Sequence, residues 1–346
     1  MDGKLRDSNQ HYITKAYLDK FVHPRSPQKV LYPYRKGGKH SKPSGTKRLG
    51  SAQNFYRQKE NGQPNDNLDN ARKVTETLLF AGDRGSLFKC ITDERFMPTD
   101  VDKLHLATAT SFLWCGSPVQ IHNSAMFRLL HHQIDLLNWH NTEEAKQCYR
   151  DDHGDAADEK READRQRVLK GDLFVDVGEE NWKQLGFSSF QIQENVIHEM
   201  LAMRMTIVDC HFRCFFLASD NPVLAIPPSS PEKRDEQMWI PISYNRGILW
   251  HRRADLGVRT CFGYSETHAI NRQIIKMCYK RVYSPLPESW IESAGSQEKH
   301  DPLWGHYGSL EKVIEAGKPV IDCQGRELID LVAALKSAER VSFVGV

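Results

Sequence analysis

Apolar positions along this chain fall into two rhythms, helical spacing in some stretches and unbroken short runs in others. From Gln10 to Phe21, Tyr12, Ala16 and Phe21 lie near one helical face with Tyr17 and Leu18 beside them, predicting a short amphipathic helix that Pro24 stops. Val30 to Tyr34 reads as a strand, Gly37-Gly38 as a turn, and Lys39 to Gly50 as a basic loop rich in Gly, Ser and Pro. Leu68, Ala71, Val74, Thr75 and Leu78 predict a helix over Leu68 to Phe80 that ends before Gly82, with Glu76 close to its apolar stripe. Two longer apolar helices are expected over Val101 to Trp114 and Ala125 to Trp139, joined around Gly116-Ser117-Pro118.

From Thr142 to Lys170 the apolar rhythm gives way to charges of alternating sign, which suits an exposed helix or insertion. Ser188 to Ile207 reads as a further helix feeding an apolar run, Cys214 to Val223. Met238 to Ile242 and Gly247 to His251 read as strands, and Ser265 to Tyr283 as a helix closed by Pro285. Trp290 to Tyr307 looks loop-rich, and Arg326 to Ala338 looks like a last amphipathic helix. This order predicts an α+β fold, a helical layer packed on a small, mainly antiparallel sheet. A single domain spanning 1–346 is expected, with its core over about 10–285, a charged insertion at 142–172 and a C-terminal extension at 286–346.

The run ending in Ser219-Asp220-Asn221-Pro222 stops abruptly on a carboxylate and a proline. A buried strand that ends this way holds one side chain rigidly at a sheet's rim, so Asp220 is a candidate working residue. The competing reading is a turn in which Asp220 or Asn221 bonds nearby backbone ahead of Pro222.

With 346 residues and 39% hydrophobic content the chain can bury a full core. No run approaches the roughly 18 apolar residues of a membrane helix, and the polar start lacks a secretory apolar segment, so a cytoplasmic protein with no membrane partner is expected. The eight cysteines follow no framework spacing, which suits reduced thiols. Charge changes the picture more. Lys20 to Lys59 holds eleven Lys or Arg residues and no acid, so against a total of +2 the remainder carries −9. Tyr32, Tyr34, Phe55 and Tyr56 interleave with those cations, a combination suited to single-stranded RNA or DNA. A solvated surface of ordinary lysines is the plainer reading of the same run.

Several chemistries find little support. Cys210 and Cys214 on one strand would stand about 13 Å apart at ~3.3 Å per residue, too far to share a zinc ion with His211. His198-Glu199 lacks the second histidine of a zinc-protease helix, because position 202 is Ala. His131 or His132 with Asp135 has contact spacing on a helix, which a solvated or core-edge helix also explains. Gly82-Asp83-Arg84-Gly85 is not a triphosphate cradle, there is no Gly-x-Ser-x-Gly elbow, and Cys115 and Cys278 show no local activating histidine.

What remains is dispersed: His11, Glu76, Asp220 and Asn271-Arg272. Phosphodiester cleavage needs a group to deprotonate or orient the nucleophile and a cation to stabilise developing charge. His11 could serve as base or metal ligand, Glu76 and Asp220 could hold Mg or Mn through oxygen, and Arg272 could bind phosphate. Structural roles compete for each residue: a helix cap for His11, a pair with Arg72 for Glu76, a surface ion pair for Arg272.

These residues stand in elements that match a known pattern in order: Gln10-His11-Tyr12 with Tyr17-Leu18 and Phe21; Asn54-Phe55-Tyr56; Glu76; Ser219-Asp220-Asn221-Pro222; Ile240-Pro241-Ile242-Ser243; and Asn271-Arg272 with Arg281-Val282-Tyr283-Ser284. Over about 10–285 the chain thereby resembles the uncharacterised family called domain of unknown function 4238. It departs from that pattern at Thr14, where proline is usual, and at Cys115-Gly116-Ser117-Pro118, which lacks the arginine of an Arg-Thr-Pro-like turn. The resemblance implies that His11, Glu76, Asp220 and Asn271 belong together, without naming their chemistry. The resulting expectation is a nucleic-acid-processing hydrolase, a metal-dependent nuclease of defence or toxin type. In it His11, Glu76 and Asp220 are catalytic, Glu76 and Asp220 ligate metal, and Tyr12, Tyr17, Tyr56, Asn221, Asn271 and Arg272 touch substrate. The alternative is a non-catalytic nucleic-acid-binding or protein-interaction module in which the same residues form a buried polar network.

Overall fold

A computed structural model describes residues 9–26, 28–37, 42–53, 55, 58–60, 63–65, 70, 73, 85–170, 185–226 and 236–297. Of the expected helix over Leu68 to Phe80 only Asn70 and Lys73 are described, both helical, and the helix over Arg326 to Ala338 and most of the C-terminal extension lie outside these residues. The N-terminal part contains β1 (Asn9–His11), α1 (Lys15–Asp19), β2 (Val30–Arg35), β3 (Ser44–Gly45), β4 (Ser51–Gln53), β5 (Gln58–Glu60) and β6 (Gln63–Asn65). The helices α2 (Ser86–Thr92), α3 (Asp100–Cys115), α4 (Pro118–Trp139), α5 (Glu143–His153), α6 (Ala157–Lys170) and α7 (Gln193–Ala202) follow. The chain then forms β7 (Arg204–Cys210), β8 (Ala218–Ser219), β9 (Leu224–Ile226), β10 (Gln237–Pro241), β11 (Arg246–His251) and β12 (Arg259–Phe262). It closes with α8 (Tyr264–Met277), β13 (Arg281–Ser284) and α9 (Ser289–Gln297).

The fold class is α+β, as the sequence predicts. Contacts divide the chain into two compact units, one of 1–121 with 189–302 and one of 122–188 with 303–346. In the first, a five-stranded sheet has the order β12-β7-β11-β10-β9, antiparallel except for the parallel β12/β7 pair. A four-stranded antiparallel sheet has the order β3-β2-β13-β8, and β1 pairs with β4. Alternation along the strands of the larger sheet sends side chains to two cores. Ile207, Ile240, Ile248 and Trp250 join α3 residues Leu106, Phe112 and Leu113 and α7 residue Met200. Val208, Trp239 and Leu249 join Ile274 and Ile275 of α8, with Tyr34 and Val282 from the smaller sheet.

Arg246 ties the larger sheet to α2. Its buried guanidinium donates to the Asp209 carboxylate at 2.5 Å and to the carbonyls of Cys90 and Ile91 at 2.7 and 3.0 Å. These bonds satisfy carbonyls left open at the end of that helix.

Several boundaries differ from expectation. The N-terminal helix is confined to Lys15–Asp19 because Thr14 caps it, its Oγ1 accepting from Tyr17 N at 3.0 Å, and residues 9–11 pair as a strand instead. The helix expected to reach Ile207 ends at Ala202, where Arg204-Met205-Thr206-Ile207-Val208 turns to strand. Its Thr, Ile and Val are the β-branched residues that favour a pleated surface. The helix expected to Tyr283 ends at Met277, and Trp290 lies in a helix rather than a loop.

The second unit holds the charged stretch expected as an insertion. There α5 and α6 pack on each other, and Ala145, Ala157, Val168 and Leu169 are buried while most of their other residues are exposed. Tyr149 donates to the Asp164 carboxylate at 2.9 Å, and Arg161 donates to the His140 carbonyl at 2.7 Å.

Candidate functional site

Asp220 follows β8 directly and is 1% exposed. One carboxylate oxygen accepts from Tyr279 N at 2.8 Å, and the other accepts from Lys280 N and Arg281 N at 2.8 and 2.9 Å. The same turn is gripped through its carbonyls. Lys36 Nζ donates to Lys276 O and Cys278 O at 2.5 and 2.9 Å, and Asn221 Nδ2 donates to Met277 O at 2.9 Å. Ser219 Oγ donates to Asn221 O at 2.6 Å and accepts from Asn221 N, holding the 219–221 turn in shape. This clamp supplies partners to the carbonyls at the end of α8 and fixes the passage from α8 into β13. Burial pushes the Asp220 carboxyl up to about 6, against the pull of the three backbone N–H groups and the Lys36 charge.

Tyr12 and Tyr283 adjoin the clamp. Burial raises the half-buried Tyr12 phenol, and the Asp220 charge raises it further. Tyr283 is fully buried and burial raises its phenol too. Its hydroxyl has no hydrogen-bond partner of normal geometry among the described residues, yet it stands near enough to Tyr12 for the two to affect each other's ionisation. The Tyr12 ring also packs on Phe55, centroids 5.2 Å apart. Folding therefore brings Tyr12 of the first signature element and Arg281 of the last beside Asp220.

The remaining candidates are placed differently. His11 Nε2 lies 3.2 Å from the Lys47 carbonyl, so that nitrogen carries the proton and the ring is engaged with the basic loop. Tyr17, expected at substrate, is 1% exposed and donates its hydroxyl to Pro241 O at 2.8 Å. Asn271, expected at substrate, is buried and braces the segment that leads into β8, donating to Phe215 O at 2.7 Å and accepting from Leu217 N at 3.0 Å. Asn221 is buried within the clamp. Arg272 is exposed on α8. Glu76 and Tyr56 lie outside the described residues.

The model of a family described as "Protein of unknown function (DUF4238)" matches residues 9–285. The chain belongs to the DUF4238 family. No curated protein and no solved structure matches it. In this DUF4238 chain, the Ser-Asp-x-Pro element and the closing Arg281-Val282-Tyr283-Ser284 element are two halves of one clamp. Thr14 accounts for one departure from the usual pattern: its φ of −64° is the value a proline ring imposes, and its hydroxyl supplies the cap that proline lacks.

Two concave surfaces of this DUF4238 chain present exposed chemistry. A cleft of about 630 Å³ between α1 and the basic loop is lined by Lys15, Asp19, His23, Lys29 and Lys47 among others. Its acid is already engaged, with Asp19 bonded to Lys15 Nζ and to Thr46 Oγ1, each at 2.5 Å. Lys29 and Lys47 are exposed and pair with no acid among the described residues. A second groove, of about 770 Å³, runs between α8 and α9 and holds Tyr264, His268, Arg272 and Trp290. Because Trp290 to Tyr307 looks loop-rich in sequence, α9 and the wall it gives this groove were not expected, while Arg272 was already a candidate.

Cys210 and Cys214 are not extended along one strand, because β7 ends at Cys210 and a turn with Cys214 N donating to His211 O brings Cys210 Sγ within 3.3 Å of Cys214 O. Even so, among the described residues no group of three or more His, Cys, Asp or Glu could hold a metal ion. Burial pushes the thiols of Cys90, Cys115 and Cys210 up to about 12, the opposite of activation for attack. Among the described residues no helix is long and apolar enough to cross a membrane.

Proposed function

We propose that this chain is a nucleic-acid-binding module of the cytoplasm, whose family signature residues form its framework and whose basic cleft meets the phosphate backbone. One observation carries the reading: Asp220, the residue best placed to be catalytic, is buried with three backbone N–H groups on its oxygens. A carboxylate so engaged has little capacity left for Mg or Mn, which would also need open coordination positions. The exposed cations Lys29 and Lys47, which pair with no acid among the described residues, lie instead at an open cleft within the acid-free window. Cations that neutralise phosphates release counterions, so binding should weaken steeply with salt.

The test measures binding of labelled single- and double-stranded RNA and DNA by the wild-type chain and by Lys29→Gln/Lys47→Gln across a salt series. The reading expects the double variant to bind more weakly and with a shallower slope of log affinity against log salt. Equal affinity and slope in both proteins would refute it.

A hydrolytic reading is favoured by a different observation, an acid whose carboxyl is pushed up to about 6 beside Tyr12. It expects RNA or DNA to be cut, in magnesium or manganese but not in chelator, with Asp220→Asn inactive yet folded. No cleavage under any of these conditions would exclude it.

A further inference from the structure

We propose that the groove between α8 and α9 binds a nucleotide, taking the planar base on its aromatic residues and the phosphate on Arg272. The groove shares no lining residue with the basic cleft and does not depend on it.

Tyr264, His268 and Arg272 are spaced four residues apart on α8 and so lie along one face. Their rings form a short ladder with α9: Tyr264 to His268 at 4.3 Å and His268 to Trp290 at 4.6 Å between centroids. Tyr264 is 65% exposed, leaving aromatic surface for a base to cover. Helical side chains lean toward the N-terminus, so Arg272 reaches back over the turn that carries His268. Its charge is felt there, joining burial in lowering the His268 pKa, while Glu288 opposes them. Arg272 is exposed and pairs with no acid among the described residues. On the opposite wall Gln297 offers its amide and Ser293, whose hydroxyl donates to Ser289 O at 3.4 Å, offers an acceptor to the heteroatoms of a base.

This combination suits a stacked heterocycle joined to an anion better than either alone. A base is held by stacking on a protein aromatic, and a guanidinium matches phosphate with two parallel hydrogen bonds. The same chemistry comes from a free nucleoside monophosphate or from the terminal nucleotide of a single strand.

The experiment titrates the full chain with adenosine monophosphate, uridine monophosphate, adenosine, inorganic phosphate and a short oligonucleotide carrying a terminal phosphate, using calorimetry. Monophosphates, the oligonucleotide or both should bind, with adenosine and inorganic phosphate each at least tenfold weaker. A preference between monophosphate and oligonucleotide tells which source the groove takes. Tyr264→Ala and Arg272→Gln, both at exposed positions, should each weaken binding about tenfold with unchanged thermal midpoints, whereas Lys89→Gln/Lys160→Gln, at exposed positions outside the groove's lining, should leave monophosphate binding intact. No binding of monophosphate or oligonucleotide, phosphate binding as tight as nucleotide, or binding indifferent to both groove variants would overturn the proposal.

Discussion

Asp220 shows how a single side chain can be both conspicuous and committed to structure. Replacing it by alanine leaves Tyr279, Lys280 and Arg281 N–H groups without their acceptor in a buried turn, and an unsatisfied buried donor costs ~1–3 kcal/mol. Asp220→Ala is therefore expected to destabilise the chain by at least about 3 kcal/mol, read from urea unfolding. Ionisation adds a direction. A carboxyl raised from 3.8 to about 6 by burial favours the folded state fully below 3.8, and that contribution disappears as pH rises through about 6. Asp220→Asn does not titrate, so its penalty relative to wild type should be larger at pH 4 than at pH 7. A penalty that grows between those values would show that the N–H bonds outweigh burial. The sequence marks Asp220 through the apolar run and proline around it. Its acceptor role was hidden because its donors lie about 60 residues onward, where the chain reads as uninterrupted helix.

At the scale of elements, local punctuation was legible where a single residue decides the outcome and illegible where a partner does. Gly116-Ser117-Pro118 separates α3 from α4 as its turn chemistry dictates. By contrast, β12 escaped notice because Arg259-Thr260-Cys261-Phe262 is neither strongly apolar nor alternating, and it exists through parallel pairing with β7. The β10/β11 pair supplies a test. A methyl group on Gly247 would fall 2.1 Å from Trp239 Cη2 and 2.5 Å from its Cζ2. That indole is fully buried between Phe216 and Phe262, at centroid distances of 4.9 and 5.7 Å. Gly247→Ala should cost ~1–3 kcal/mol or more and lower the thermal midpoint by several degrees, since overpacking moves rings off their rotamers. Gly257→Ala, where the nearest atom outside its neighbours is Arg259 O at 3.7 Å, should leave the midpoint within about a degree.

For the whole molecule, the charge map is uneven while the total is small, +2 against eleven cations in one forty-residue window. Two changes of equal net charge should therefore differ in effect. Lys29→Gln/Lys47→Gln is expected to weaken nucleic-acid binding, whereas Lys89→Gln/Lys160→Gln, at exposed positions outside that window in the sequence, should change it less than twofold in a filter-binding assay. Equal losses would mean that net charge alone governs association. The α+β class was legible because the order of helices and strands carries it. The division into two units was not, because α4 runs as one helix across the boundary at 121 and leaves no linker to read.

The smaller sheet places β2, near the chain's start, beside β13, more than two hundred residues later. During synthesis the early strand emerges long before its neighbour exists, so a nascent chain must carry an open hydrogen-bonding rim until residue 284 has left the ribosome. Chaperone demand should then peak late in translation, and chains terminated before that point should aggregate through the waiting edge.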